Sequence, residues 1–369
     1  MFCRRLNGFL EKKALRGKPK DSYMAQVIEN IEKVKSRGKK PPPLDTLAQL
    51  GTDSLKKKAT SKWFTQKLTK ELIEIGSPLR KQYKRAYYCN QTLVQHDKNK
   101  ITSKYCNSRA CNICNRIRTA KMMNGYIMPL KELGEMQFIT LTEPNVPESE
   151  LEQTIINQSK KISNIFEVFR KRRGINISGV RKLECTYNDK LNNYHPHVHL
   201  LINKNCAPEF INEWLIRNPN AKLIAQDYKN VDINDKSLKE LFKYTTKQYE
   251  IEKDDKTLEI NVRSLDVILR AYNNKRTFQT YGEIRKIKVT EEVEELKSQE
   301  YTDLPDYHYM EWEWSIKDWY NRYKEPLSNN IEPSIEINAR NKTYMQWTEK
   351  EKKIRQKEID RKNKKNNIT

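Results

Sequence analysis

No stretch of eighteen apolar residues occurs in the 369-residue chain, which excludes a membrane-spanning helix. The opening Met1-Phe2-Cys3-Arg4-Arg5 has no apolar run behind its charges, so no secretion signal is expected and the chain reads as cytoplasmic. Seven cysteines, an odd number with no export signal, argue against a disulfide framework. Histidine is scarcer still: there are five, and three of them crowd into Tyr194-His195-Pro196-His197-Val198-His199-Leu200-Leu201-Ile202. Alternate residues of an extended chain point the same way, so His195, His197 and His199 share one face of a strand and Val198, Leu200 and Ile202 the other. Such a strand has a core side and a chemical side, and imidazoles gathered on one face suit a metal ion.

Acidic residues are sparse in the first third. Up to Gly134, thirty Lys and Arg stand against ten Asp and Glu, whereas the remainder holds 41 against 38, so nearly all of the net +23 sits at the front. A charge placed this way is an electrostatic footprint for a polyanion, nucleic acid first of all. The basic stretches lack a strongly apolar opposite face, which makes a membrane surface the weaker partner.

The sequence divides into four segments. Residues 1–78 form a basic extension, a small DNA-binding module or loosely ordered arm, with helical pieces around Tyr23 to Val34 and Trp63 to Ile75; Pro41-Pro42-Pro43 breaks it. Residues 79–134 carry Cys89, Cys106, Cys111 and Cys114. A C-x2-C knuckle and two further thiols can close a tetrahedral shell around Zn²⁺, with His96 able to replace one ligand. Arg109, Arg116, Arg118 and Lys121 stand around that knuckle as phosphate-contacting residues. Residues 135–290 read as strand Gln137 to Thr142, amphipathic helix Glu148 to Arg173 stopped by Gly174, and strand Gly179 to Tyr187. A polar turn then leads into the histidine strand, giving an antiparallel hairpin. Residues 291–369 hold Trp312, Trp314 and Trp319, read as an accessory core or partner surface rather than a base-stacking platform, and end in a basic helix from Thr348.

Two further groups carry chemistry. If Leu183 and Cys185 face the core, Glu184 emerges on the histidine side, where a carboxylate offers the third, hard ligand wanted by Mg²⁺ or Mn²⁺. In Ser237 to Lys247, helical spacing sets Glu240, Tyr244 and Lys247 on one face, opposite Leu238, Leu241, Phe242 and Thr245. A tyrosine held between an acid and a base can attack phosphorus when a cation polarises the phosphate. Glu240 also satisfies a capping box with Ser237, and the two roles are compatible.

These motifs, in this order and over roughly residues 79–290, resemble the rolling-circle plasmid replication initiators of the HUH endonuclease superfamily, in the branch with a four-cysteine segment upstream. The likeness runs through Cys106 to Cys114, Thr140 to Val146, Leu183-Glu184 with Thr186-Tyr187-Asn188, Tyr194 to His199, and Glu240 to Lys247. It implies an α+β protein whose catalytic domain is a mainly antiparallel sheet flanked by helices. It also implies that His197, His199 and Glu184 hold the divalent cation, with His195 the least secure because Pro196 replaces the hydrophobic spacer. Tyr244 would form a 5′-phosphotyrosine at the plasmid origin and leave a free 3′-hydroxyl. Glu240 would activate water for the terminating cleavage, and Lys247 would orient the scissile phosphate. Implied partners are single-stranded or hairpin origin DNA and the host helicase, single-strand binding protein and polymerase, with homodimerisation left open. No second tyrosine follows Tyr244 by one turn, which disfavours a two-tyrosine mechanism. A single-tyrosine transposase or relaxase shares the histidines and tyrosine; a non-catalytic zinc-dependent DNA-binding regulator would need neither Glu184 nor Tyr244.

Overall fold

The computed structural model describes residues 52–96, 100–233, 241, 250–251, 257–286, 309–321, 323–328 and 336–340. The helix expected around Tyr23, the triple proline, the basic tail, and the trio Glu240, Tyr244 and Lys247 lie outside these residues. In chain order the elements are α1 (Thr52–Glu74), α2 (Arg80–Tyr87), β1 (Thr92–His96), β2 (Lys100–Ser103), α3 (Asn112–Glu132), β3 (Met136–Thr142), α4 (Glu148–Arg172), β4 (Gly179–Asn188) and β5 (Asn193–Asn203). There follow α5 (Ala207–Arg217), β6 (Asp227–Val231), β7 (Glu250–Ile251), β8 (Thr257–Asn261), α6 (Val262–Ala271), β9 (Phe278–Tyr281), β10 (Tyr309–Glu313), β11 (Asp318–Tyr320) and β12 (Glu336–Arg340).

The central layer is a five-stranded sheet in the order β6-β3-β5-β4-β9, antiparallel throughout. The expected α+β class, antiparallel sheet with flanking helices, is what folds. The longest ladder joins β4 to β5 from Gly179↔Ile202 to Asn188↔Asn193, the hairpin read in the sequence. Pro196 lacks a backbone donor and should sit on an edge. It does so locally, because β3 ends at Thr142↔His197 and leaves residue 196 paired only with Cys185 of β4.

One sheet face builds the main core. Ile139, Leu141, Leu183, Cys185, Val198, Leu200 and Ile202 are buried there in one cluster with Leu151, Ile155, Ile162, Ile165 and Phe169 of α4. These are residues of the stripe expected for that helix, and burying five such side chains contributes on the order of 10 kcal/mol before entropy is counted. The helix stops where Gly174 turns to φ +67, a left-handed conformation glycine adopts without strain, and Ile175 N–H returns to the Phe169 carbonyl at 3.0 Å.

The same core takes in Trp63, Phe64, Leu68 and Leu72 of α1 and Met310, Trp312 and Trp319 of β10 and β11. Residues 52–74 therefore share the core of the segments that follow, as does the described part of the aromatic-rich region. Trp312 and Trp319 pair edge to face at 4.8 Å inside a four-stranded sheet, β11-β10-β1-β2, which fits the accessory-core reading. β7, β8 and β12 form a third, three-stranded sheet.

The opposite face of the central sheet is divided. Its far half carries Met136, Phe138, Val180, Leu201 and Phe278, buried with Met122, Tyr126 and Leu130 of α3 and with Ile233, Leu241 and Ile284. The near half carries the histidines. A face read from β5 alone as wholly chemical is thus half core, because α3 crosses it, and the spacing within β5 holds no information about that.

Candidate metal centres

Cross-strand pairing dictates the first centre. His197 lies opposite Glu184 on β4 and Thr142 on β3, while His199 lies opposite Lys182 and Thr140. Directly paired residues share a face. Glu184, His197 and His199 consequently meet, with ligand atoms all within 4.8 Å of one another. His197 Nε2 and His199 Nε2 each stand 3.4 Å from Glu184 Oε2. Donors held about 2.1 Å from a small divalent cation lie roughly 3.0 to 3.4 Å apart, so this gap is the right size for one.

The other ring nitrogens settle which face of each imidazole points inward. His197 Nδ1 lies 3.1 Å from the His195 carbonyl, which can only accept, so Nδ1 carries the proton. His199 Nδ1 lies 3.2 Å from Thr140 Oγ1. In both rings Nε2 is the nitrogen turned toward Glu184 while Nδ1 is held by a neighbouring group, the arrangement of metal-bound histidines. His199 Nε2 is buried and has no hydrogen-bond partner among the described residues. Burial, outweighing the pull of Glu184, lowers the His199 pKa and keeps the ring neutral. Burial opposes ionisation of Glu184 too, but His197, His199 and the Lys182 ammonium that contacts its Oε1 outweigh it, holding the carboxyl far below the usual range. Two imidazoles and one carboxylate fit a hard or borderline divalent cation.

His195 stays outside this trio. Its ring stacks on His197 at 5.3 Å and its Nδ1 lies 2.7 Å from Asn145 Oδ1. Its position opposite Thr186 is two pairs further along the ladder than Glu184. Sharing a face is necessary for coordination but not sufficient.

The second centre gathers Cys89, Cys106, Cys111 and Cys114, again within 4.8 Å. Cys114 Sγ is 3.6 Å from Cys89 Sγ and 3.7 Å from Cys106 Sγ. Sulfurs on a tetrahedron around zinc, each about 2.3 Å from the ion, stand about 3.8 Å apart. All four are free thiols. Cys106 N–H and Asn90 Nδ2 point at Cys89 Sγ, and Ser108 N–H at Cys106 Sγ, each at 3.4 Å, as suits thiolates. Contacts from Cys106 and the other thiols favour the thiolate at Cys89, whereas burial holds Cys111 protonated until a cation replaces its proton. The set is complete on cysteine alone, with no need of His96.

The basic residues of the knuckle divide into two kinds. Arg118 is 4% exposed and donates to the Asn107 carbonyl at 2.7 Å, so the phosphate contact expected there gives way to holding the knuckle together. Arg109 donates to the carbonyls of Tyr272 and Lys275. Arg116, exposed on α3, donates to the Lys57 carbonyl and Ser61 Oγ at 2.6 Å each, and Lys121 is exposed on the same helix. Lys182 and Thr140 were not marked as site residues in the sequence. Their cross-strand position opposite His199 becomes visible only once the register is fixed.

An antiparallel sheet bearing a two-histidine, one-glutamate group, together with a separate four-thiol knuckle, describes an α+β domain with two groups able to hold metal ions. Residues 98–217 match the family model described as replication protein. That segment includes Glu184, His197, His199 and three of the four cysteines, and ends before Tyr244. Over 126 residues the chain is 38% identical to a protein named Protein rep from Staphylococcus aureus. Over 104 residues it is 30% identical to another of that name from Streptococcus pneumoniae serotype 2 (strain D39 / NCTC 7466). These alignments take in 32% and 27% of this chain and 52% and 32% of the two relatives, so the chain spans about half of one relative and about a third of the other. No solved structure matches.

Proposed function

We propose that the protein initiates rolling-circle replication of a plasmid by nicking one strand of the origin, with Tyr244 as nucleophile. The observation that carries this reading is the position of Leu241. It is buried in the cluster containing Phe138 and Leu201, on the sheet face that bears the histidines, and the Phe138 ring lies 5.3 Å from that of His199. Leu241 precedes Tyr244 by three residues in the sequence, which supports reading Tyr244 as the nucleophile that serves this face.

In this mechanism Glu184, His197 and His199 hold Mg²⁺ or Mn²⁺, which supplies charge neutralisation at the non-bridging oxygens of the scissile phosphate. The Tyr244 oxygen, giving up its proton, forms the new P–O bond as the bond to the 3′-oxygen breaks. The departing 3′-oxygen takes up a proton and becomes the primer end. The phosphotyrosine conserves the diester for later religation. Lys247 orients the phosphate, and Glu240 takes the proton from the water that ends the cycle. The four thiols hold Zn²⁺ as a structural ion. Host helicase, single-strand binding protein and polymerase are the partners such an initiator requires.

The test is to incubate supercoiled plasmid carrying the cognate origin with protein and Mn²⁺ and to look for a tyrosine-linked 5′ end. Tyr244→Phe should abolish the adduct; an adduct that persists rules out Tyr244 as the nucleophile.

A further inference from the structure

Between the cysteine knuckle, α2 and the loop from α6 to β9 lies a cleft of about 530 Å³. Five charged side chains line it, Arg85, Arg109, Arg118, Lys275 and Arg276, and no carboxylate does. Lys275 is paired with Glu152 outside the lining and Arg118 is buried, while Arg85, Arg109 and Arg276 leave the cleft positive and suited to receive an anion. The walls come from three separate parts of the chain. Arg85 projects from α2, Arg276 from the loop, and Arg109 ties the knuckle to that loop through the Tyr272 and Lys275 carbonyls. Arg85 and Arg276 are both exposed. Tyr105, half-buried, adds an aromatic surface to the lining.

The cleft adjoins the sheet that bears Glu184, His197 and His199. Phe278, part of its lining, is the cross-strand partner of Lys182, and Lys182 contacts Glu184. From Phe278 across β4 to His199 on β5 is two strand spacings, roughly 10 Å.

We propose that this cleft is the track along which single-stranded DNA reaches the metal centre, with Arg85 and Arg276 on its phosphates and Tyr105 stacked on a base. A groove walled on three sides, basic and carrying an aromatic, fits a single strand whose bases are free to stack. The knuckle is then more than a structural clip, because it forms one wall and positions the loop that forms another. This inference rests on the reading of DNA as substrate but not on the chemistry of cleavage.

The experiment is fluorescence anisotropy of a labelled oligothymidine of about 16 nucleotides, titrated with zinc-loaded full-length protein without Mg²⁺ or Mn²⁺ at several salt concentrations. The double variant R85A/R276A should weaken binding about tenfold or more and reduce the slope of log affinity against log salt by about 1.4, or 0.7 for each lost phosphate contact on a single strand. Tyr105→Ala should weaken binding with the slope unchanged. Lys160→Ala, an exposed lysine on α4 away from the cleft, should change neither. Wild-type affinity and slope in the double variant overturn the proposal, as does absence of oligothymidine binding by the wild type. Equal affinity for a duplex of the same length, equally reduced by R85A/R276A, overturns it in favour of a duplex-binding surface. If Tyr244→Phe leaves nicking intact while R85A/R276A loses oligonucleotide binding, the track stands and the nucleophile assignment falls. The converse result separates them the other way.

Discussion

Thr140 on β3 and His199 on β5 are cross-strand partners, and Thr140 Oγ1 lies 3.2 Å from His199 Nδ1, fixing the ring with Nε2 toward Glu184. Thr140→Val keeps the β-branched shape and removes the hydroxyl. Divalent-cation affinity should fall by about ten- to a hundredfold with the fold retained. Calorimetric titration with Mn²⁺ beside a far-ultraviolet spectrum checks this; unaltered affinity means Thr140 does not orient the ring.

The acid response of the metal-free protein follows from the two directions of shift. His199 has a folded pKa below its ordinary 6.5, so between the two values the unfolded chain binds the extra proton and stability falls as pH drops through that window. Glu184 has a folded pKa below 4.5, so its contribution is intact above 4.5 and is lost only on further acidification. Melting curves from pH 7.5 to 3.5 should therefore show two stages of destabilisation. Glu184→Gln should remove the second stage, and its persistence in that variant would assign it to another carboxylate.

Protein purified without added zinc should carry about one zinc per chain, with Cys111→Ser or Cys114→Ser losing it. Because the knuckle binds the α6 to β9 loop through Arg109, chelation should lower the melting temperature and weaken oligothymidine binding together, while Mn²⁺ binding at the histidines survives. Elemental analysis and the anisotropy assay read both; a metal-free preparation that melts and binds like the loaded one counts against a structural ion.

Lys62 is fully buried on α1 and donates to the carbonyls of Tyr87 at 2.9 Å and Cys89 at 2.7 Å. Burial brings its pKa down to about 8, against the pull of the neighbouring thiols. Lys62→Met keeps the packing length but leaves two buried acceptors unpaired, which should cost about 2–4 kcal/mol. Urea denaturation measures it. A loss under 1 kcal/mol would mean that water replaces the ammonium.

Local pattern in the sequence was sufficient for much of this protein. Strict alternation in His195 to Ile202 defined a two-faced strand, a 3.6-residue stripe defined the helix ended by Gly174, and a polar turn between two apolar strands defined the β4-β5 hairpin. These are short-range matters, decided by which way neighbouring side chains point. The sequence likewise supplied the candidate ligands Glu184, His197 and His199 and the four thiols. Only the tertiary structure decided the rest. Which face of β5 α3 half covers, that Thr140 and Lys182 stand opposite His199, that His195 is left to Asn145, and that Arg118 turns inward all depend on register and on contacts between residues far apart in the chain. The basic cleft has the same origin: Arg85, Arg109 and Arg276 are dispersed along the sequence, and it is the packing of α2, knuckle and loop that gathers a diffuse surplus of charge around one cleft.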